Sequence, residues 1–424
     1  MRRYVIYTGG TLNIRAGGPL GYLANLQDGL SKISFDGKSE VVILSKPPEP
    51  ETPELQGQAP CMLTQKDVRS SIDYHKNTRE IKLIGAEEEQ LSLLSPKIVH
   101  AHYYLDVVKL INAREKLGIN YKIIYTCHTP ESVSDEMASF FMKGGIPRAD
   151  LGELRSVLHD FECMCYERAD MVLFPCRGAM EPALKTVGTR YAKKLNRKSH
   201  FALTGAKSLA GDLTRNIARE RLSIDADTFV FGFIGRHNNV KGYDLFREAG
   251  QRIIERRNNV IMLSAGGNRE EVAQSSDRFR ELGWCSDPGA ILTAIDCLIL
   301  PNRATYFDLV LIESLSAGTP VMTTLTGGNA VFAGSSANII QFFEPSIDGL
   351  YAAMESKLAA QQEDNSRLNS AALRYYESHL TSSQFAQRYY DALRKMDSQT
   401  RDRRFMLSLL RSAKSIIRTL SGRA

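Results

Sequence analysis

No stretch of this 424-residue chain approaches the roughly 18 consecutive apolar residues that a membrane-spanning helix needs. The Met1-Arg2-Arg3 start is followed only by Tyr4-Val5-Ile6-Tyr7 before glycines, too short a core for a signal peptide, so the expected location is the cytoplasm. Cysteine is sparse: the seven residues (61, 127, 163, 165, 176, 285, 297) are odd in number, scattered and mostly in apolar contexts, which excludes a disulfide framework and predicts reduced core thiols. Cys163 and Cys165 form C-x-C without a second pair or a histidine cluster, which argues against zinc. The chain also lacks a tandem repeat and a low-complexity tract. Excess charge is missing from most of it. Residues 401 to 424 hold seven Arg or Lys against one Asp, a net of +6 that equals the formal charge of the whole chain, so residues 1 to 400 are balanced.

What is present is an ordinary globular composition, 43% hydrophobic and 24% charged, in a chain long enough for two domains of roughly 200 residues each. Residues 3 to 8 (RYVIYT), 40 to 45 (EVVILS), 97 to 102 (KIVHAH), 122 to 128 (KIIYTCH) and 171 to 175 (MVLFP) read as short buried strands, separated by helical segments such as 106 to 117 and 150 to 168. Five of the fifteen prolines fall between 47 and 60, an expected exposed loop. After a basic stretch from Lys185 to Lys207 the pattern restarts, with strands at 229 to 235, 260 to 267, 297 to 301 and 320 to 324. Alternating strands and helices predict an α/β fold of two doubly wound Rossmann-like domains facing a cleft, with ligands at the carboxyl ends of the strands. The expected divisions are 1–205, 206–382, a crossover helix at 383–400 that packs back across the first domain, and a tail at 401–424.

Four constellations carry chemistry. GGPLGY (17 to 22) places glycines and Pro19 before a helix, where free backbone N–H groups suit either an anion or simply a tight turn; the full G-x-G-x-x-G fingerprint is absent, which weakens a nicotinamide-enzyme reading. FIGRHNNVKGYDLF (233 to 246) ends a strand with Gly235-Arg236 and supplies Lys241 five residues on, two permanent cations suited to a diphosphate, or to solvent. Thr305 and Asp308 have capping-box spacing, predicting a helix that starts at Thr305. Glu313, among apolar neighbours, needs a donor to meet its charge, and the two hydroxyls of a ribose diol would do so. His100 and His102 share one strand face, a geometry that either binds metal or ends a buried strand, whereas His128 follows the next strand at the cleft end. Asp225 and Asp227 match D-x-D but sit in a charged connector, so no metal is expected.

Together, the Gly-Arg to Lys-Gly string, the segment GWCSDPGAILTAIDCLILPNRATYFDLVLIESLSAGTPVMTTLTGG (283 to 328) and the first-half strings PKIVHAHYY, KIIYTCHTP and ERADMVLFP resemble the retaining GT-B glycosyltransferases of family 4, over roughly residues 4 to 396. The resemblance implies that Arg236 and Lys241 hold the donor diphosphate, Glu313 the nucleotide ribose, His128 the transferred sugar, Gly18 the phosphates, and the backbone around Trp284 the base. It implies transfer with retention of configuration, the leaving phosphate assisting removal of the acceptor proton, without metal or cofactor. The sequence departs from the family where its first glutamate would stand: that position is Thr305, and the usual Phe-Gly pair is Phe307-Asp308. Asp308 is therefore a candidate to take over part of the sugar-holding task, in competition with capping.

In the tail, Phe405, Met406, Leu409, Leu410, Ala413, Ile416, Ile417 and Leu420 recur at helical spacing with Arg411, Lys414 and Arg418 between them. That pattern suits an anionic membrane surface, or a helix docked on protein, and a balanced globular part argues against nucleic acid. The expectation is a cytoplasmic, peripherally membrane-bound transferase using a nucleotide sugar, a uridine diphosphate sugar first among them. Its acceptor would be a saccharide or lipid-linked saccharide in bacterial capsule or lipopolysaccharide synthesis. The alternatives are a sugar-nucleotide epimerase of related architecture and a non-catalytic transferase-like subunit.

Overall fold

The computed structural model describes residues 1–9, 18–45, 62–209, 213–266, 276–334, 339–360 and 365–399. The proline-rich loop, Cys61 and the basic tail lie outside them.

The first unit holds β1 (Arg2–Thr8), α1 (Gly18–Leu30), β2 (Ser39–Ser45), α2 (Gln65–Lys76), α3 (Gly85–Leu94), β3 (Ile98–Ala101), α4 (Tyr104–Leu117), β4 (Lys122–Tyr125), α5 (Val133–Lys143), α6 (Gly152–Arg168), β5 (Met171–Phe174), α7 (Glu181–Lys198, kinked at Gly188) and β6 (Ser199–Phe201). Its six strands are all parallel, in the order β2-β1-β3-β4-β5-β6. The second unit holds α8 (Arg215–Arg221), β7 (Phe229–Ile234), α9 (Tyr243–Arg256), β8 (Val260–Ala265), β9 (Phe279–Glu281), α10 (Pro288–Ala294), β10 (Cys297–Leu300), α11 (Leu309–Ser316), β11 (Val321–Thr324), β12 (Ile340–Phe343), α12 (Ile347–Ala359) and α13 (Asn365–His379). Its order, β12-β11-β10-β7-β8-β9, is again all parallel and is the doubly wound 3-2-1-4-5-6 arrangement.

Side-chain parity explains why both sheets are parallel. In β1, Val5 and Tyr7 enter one core while Tyr4 and Ile6 enter another, and β4 divides Ile123 and Tyr125 from Ile124 in the same way. In β7, Val230 faces one core and Phe229, Phe231 and Phe233 the other. Strands apolar on both faces need a helical layer on each side, and crossover connections supply both. The edge strands β6, β9 and β12 lack an unbroken apolar run, and the sequence reading passed over them. Strands β3 and β4 also end earlier than expected, which leaves His102 and His128 in the loops beyond.

A helix over 382–399, α14, returns to the first unit. Phe385, Ala386, Tyr389, Tyr390, Leu393 and Met396 complete a core with Tyr4, Ile6, Tyr22, Leu23 and Leu26. A Cβ on Gly29 of α1 would stand 2.0 Å from the Ser382 carbonyl oxygen, so glycine alone allows that approach. Deep in the seam the Tyr389 hydroxyl bonds His100 Nδ1 at 2.9 Å, His100 Nε2 bonds Thr126 Oγ1 at 2.8 Å, and Thr126 donates onward to the Leu173 carbonyl at 2.7 Å. Because Thr126 spends its proton on Leu173, it accepts from His100, which fixes His100 as the neutral Nε2–H form. The six described cysteines are free thiols, four of them buried.

Candidate functional site

In each sheet the topological switch point, between β1 and β3 and between β7 and β10, opens a crevice at the carboxyl ends of the strands. Both crevices face one cavity of about 1240 Å³. Thr8, Gly9, His102, Tyr103, Tyr125 and His128 line it from the first unit, and Arg236, Asn238, Asn239, Val240, Arg303 and Ala304 from the second.

The cations on the second side are not equivalent. Arg236 is exposed on the cavity wall, and among the described residues its guanidinium makes no hydrogen bond or salt bridge. Arg303 is held by both oxygens of Asp244 at 2.6 Å. Lys241 does not line the cavity; its ammonium lies 2.5 Å from Asp308 Oδ1. Lys241, expected with Arg236 at a diphosphate, is in this structure engaged by Asp308 instead.

The expectation for Asp308 is corrected. It is 4% exposed, and its oxygens accept from Lys241, from the Thr305 hydroxyl at 3.1 Å, from Asn302 Nδ2 at 2.5 Å and from Asn329 Nδ2 at 2.7 Å. With four donors inside the protein, no lone pair is left to grip a sugar. Nor does a capping box form. Helix α11 begins at Leu309, Asp308 is its N-cap residue without a side-chain cap bond, and Thr305 lies in the preceding loop. Burial alone would raise the Asp308 pKa, but the Lys241 charge and the bonds from Lys241, Asn329 and Thr305 overcome it and hold the carboxyl below its ordinary range.

The loop from Asn302 to Asp308 is pinned on a second side. Gly327 has φ +52°, and a Cβ there would stand 1.7 Å from the Thr305 carbonyl oxygen. The Gly327 carbonyl in turn meets Gly178 of the first unit, where a Cβ would approach to 2.1 Å. Held this way, the loop sends Tyr306 into the first unit's core, its ring 5.6 Å from that of His128. Sequence reading missed Tyr306. The signal was an aromatic in a loop beside the expected ribose carboxylate.

Glu313, on α11, has no side-chain hydrogen bond or ion pair among the described residues, and burial pushes its carboxyl up to about 7. It lies four residues from Leu309, which packs against Gly21 of α1, so Glu313 sits on the helix face turned toward α1. Gly18 is exposed as the first residue of α1, next to Pro19 and Leu20 in the cavity wall. Trp284 is 50% exposed, beyond β9. Beside it the Gly283 carbonyl accepts from Gly266 N at 2.8 Å, and Gly266 packs on the Gly235 backbone, a ledge of bare backbone at the ends of β7, β8 and β9. Gly18, Trp284, Thr305 and Glu313, like Lys241 and Asp308, are not among the residues that line the cavity.

His128 is in the wall. Its Nε2 is 3.0 Å from His102 Nδ1, and burial lowers its pKa to about 3, so it is a neutral ring at physiological pH. No group of three or more potential metal ligands occurs among the described residues.

Residues 228–359 match the family model described as glycosyl transferases group 1. That match lies within the second unit, from the start of β7 to the end of α12. A relative named D-inositol 3-phosphate glycosyltransferase 1, from Catenulispora acidiphila, is 28% identical over 152 residues, 31% of this chain and 36% of that protein. The match thus spans about a third of the relative's length. Among solved structures, sucrose-phosphate synthase from Thermosynechococcus elongatus superposes with a TM-score of 0.65 at 16% identity, covering 94% of this chain and all of that one. Anabaena Alr3699/HepE, solved in complex with UDP-glucose, superposes with a TM-score of 0.60 at 13% identity, covering 93% of this chain and all of that one. The second unit and the unit facing it together have the GT-B fold.

Asp308→Asn places an amide N–H among donors and leaves Lys241 without its counter-charge. Chemical unfolding at pH 7 is expected to show a loss of about 3 kcal/mol, the low end for breaking a buried ion pair. Because the folded-state pKa of Asp308 lies below the ordinary 3.8, its contribution is full above that value and is lost as the pH falls below it; the gap between wild type and variant should close in that range.

Proposed function

We propose that this protein is a retaining glycosyltransferase that moves a sugar from a nucleotide-sugar donor to a saccharide or lipid-linked saccharide acceptor in cell-surface polysaccharide synthesis. A uridine diphosphate sugar is the first candidate donor. The observation that carries this reading is the shared cavity, with a guanidinium unpaired among the described residues at the end of β7 on one side and a neutral histidine beyond β4 on the other.

In this reading the nucleotide lies on the second unit. The backbone ledge at Gly235, Gly266 and Gly283 meets the base beside Trp284, and Glu313 accepts the ribose hydroxyls. Arg236 meets the diphosphate, with Lys241 held nearby by Asp308. His128, being neutral, bonds a hydroxyl of the transferred sugar without adding charge at the anomeric centre. The bond from the anomeric carbon to the diphosphate oxygen breaks, and the acceptor oxygen bonds that carbon on the same face. The acceptor proton passes to the departing phosphate oxygen, whose growing charge Arg236 stabilises. The basic apolar periodicity of residues 401–424 supports a membrane-surface acceptor.

A second reading, a donor-binding subunit without turnover, is favoured by Thr305 at the family's first glutamate position and by the engagement of Lys241 with Asp308. Assay with UDP-glucose and lipid-linked or soluble saccharide acceptors separates the two, since binding without transfer supports the subunit.

Arg236→Ala is expected to lower kcat/KM about 100-fold, the usual effect of removing one donor to a developing anion, and the anomeric configuration of the product, read by NMR, should match the donor's. Undiminished transfer by that variant contradicts the reading. Glu313 gives a pH signature: with its pKa at about 7, it accepts two ribose hydroxyls fully only once ionised, so UDP-glucose should bind more tightly from pH 6 to pH 8. Calorimetric titration of Glu313→Gln should show a flat profile over the same range.

A further inference from the structure

The alternation of a strand brings His100 and His102 to one face of the chain at the end of β3, yet the two rings are treated differently. Both nitrogens of His100 are bonded, which makes it structural. His102 stands one residue past the strand, 7% exposed in the wall of the cavity, and uses only Nδ1, bonded to His128. Its Nε2 is fully buried and has no partner among the described residues.

The rings of His102 and His128 lie 17° from parallel with centroids 5.3 Å apart. That spacing is the 3.0 Å nitrogen separation plus a ring radius on each side, so the bond runs close to both ring planes. Tyr22 holds the pair, its ring 5.5 Å from His102 and 4.8 Å from His128, and Tyr306 covers His128 from the second unit.

Two neutral imidazoles sharing one N–H···N bond have linked tautomers. If His102 Nδ1 carries the shared proton, the proton of His128 is on its own Nδ1 and His102 Nε2 is bare. If His128 Nε2 carries it, both rings are Nε2–H and the bare nitrogen is His128 Nδ1. The pair therefore always presents one N–H and one lone pair at its two outer nitrogens. The buried, partnerless Nε2 of His102 decides between the states, since a buried orphan N–H is rarer and less favourable than an unused lone pair.

We propose that His102 is a positioning residue that donates from Nδ1 to His128 Nε2 and so fixes His128 as the Nδ1–H tautomer, a hydrogen-bond donor to a hydroxyl oxygen of the transferred sugar. This rests on the glycosyltransferase reading above. His102 touches no substrate; it sets the direction of a bond made by its neighbour.

Two-bond nitrogen–proton NMR of the wild-type protein tests it, with UDP-glucose as the probe for turnover. Both rings should be neutral and Nδ1-protonated between pH 7 and pH 8. His102→Phe, which keeps a ring but no donor, should free the His128 tautomer and lower kcat about 10-fold, the worth of one neutral hydrogen bond. His102→Asn, whose side-chain amide can occupy the place of Nδ1, should restore both signals most of the way. A merely structural role would lower thermal stability and leave the His128 tautomer unchanged. An Nε2-protonated His128 in an active wild type overturns the proposal alone, and that spectrum decides even if His102→Phe does not fold. A wild type that neither binds nor turns over any of a panel of nucleotide sugars that includes UDP-glucose, whatever its tautomers, overturns the glycosyltransferase reading and this proposal with it.

Discussion

The carboxylate of Asp308 gathers four donors from three segments of the second unit: Lys241 from the β7–α9 connection, Asn302 and Thr305 from the loop between β10 and α11, and Asn329 from the turn after β11. A charge buried this deeply is tolerable only when its acceptor capacity is filled, and here it is filled by one ammonium, two amides and a hydroxyl. Any one of those partners could move only by leaving an unsatisfied ion behind. The loop from 302 to 308 is therefore fixed, and what it carries is fixed with it: Ala304 and Arg303 in the cavity wall, and Tyr306 in the core of the other unit.

From that node the two sides of the cleft acquire their contrast. The second unit offers at Arg236 a guanidinium unpaired among the described residues, while the first offers rings kept neutral by burial, with His100, His102 and His128 all held below the ordinary histidine range. The first unit's wall also carries Asp106, Lys109, Glu131, Glu136 and Lys143, so the neutral rings form one patch of it and not the whole face. Close backbone contact at Gly178 and Gly327, with α14 laid across the first unit, ties the walls together.

The sequence made the architecture legible because strands buried on both faces are nearly continuous apolar runs, and Val5, Tyr7, Val230 and Phe231 each announce such a strand. That Arg236 and His128 would lie at the cleft was legible for a related reason: each comes two or three residues past a strand, and a strand's carboxyl end is where a doubly wound sheet opens. Partnerships across long separations were not. Lys241 and Asp308 are 67 residues apart, and nothing local distinguishes a carboxylate that caps a helix from one that receives a distant lysine. The capping-box spacing of Thr305 and Asp308 was real, but three other donors competed for the same oxygens and won. His102 was weighed only for metal or burial, because its bond to His128 depends on how β3 and β4 lie side by side.

A crystal structure of the protein with UDP-glucose bound bears most directly on these relations. The diphosphate should lie within hydrogen-bonding reach of Arg236, the ribose diol on Glu313 and the glucose beside His128, with Lys241 still joined to Asp308. A nucleotide bound outside the shared cavity, or a Lys241 that has left Asp308 to take the diphosphate while the loop from 302 to 308 keeps its place, would contradict it.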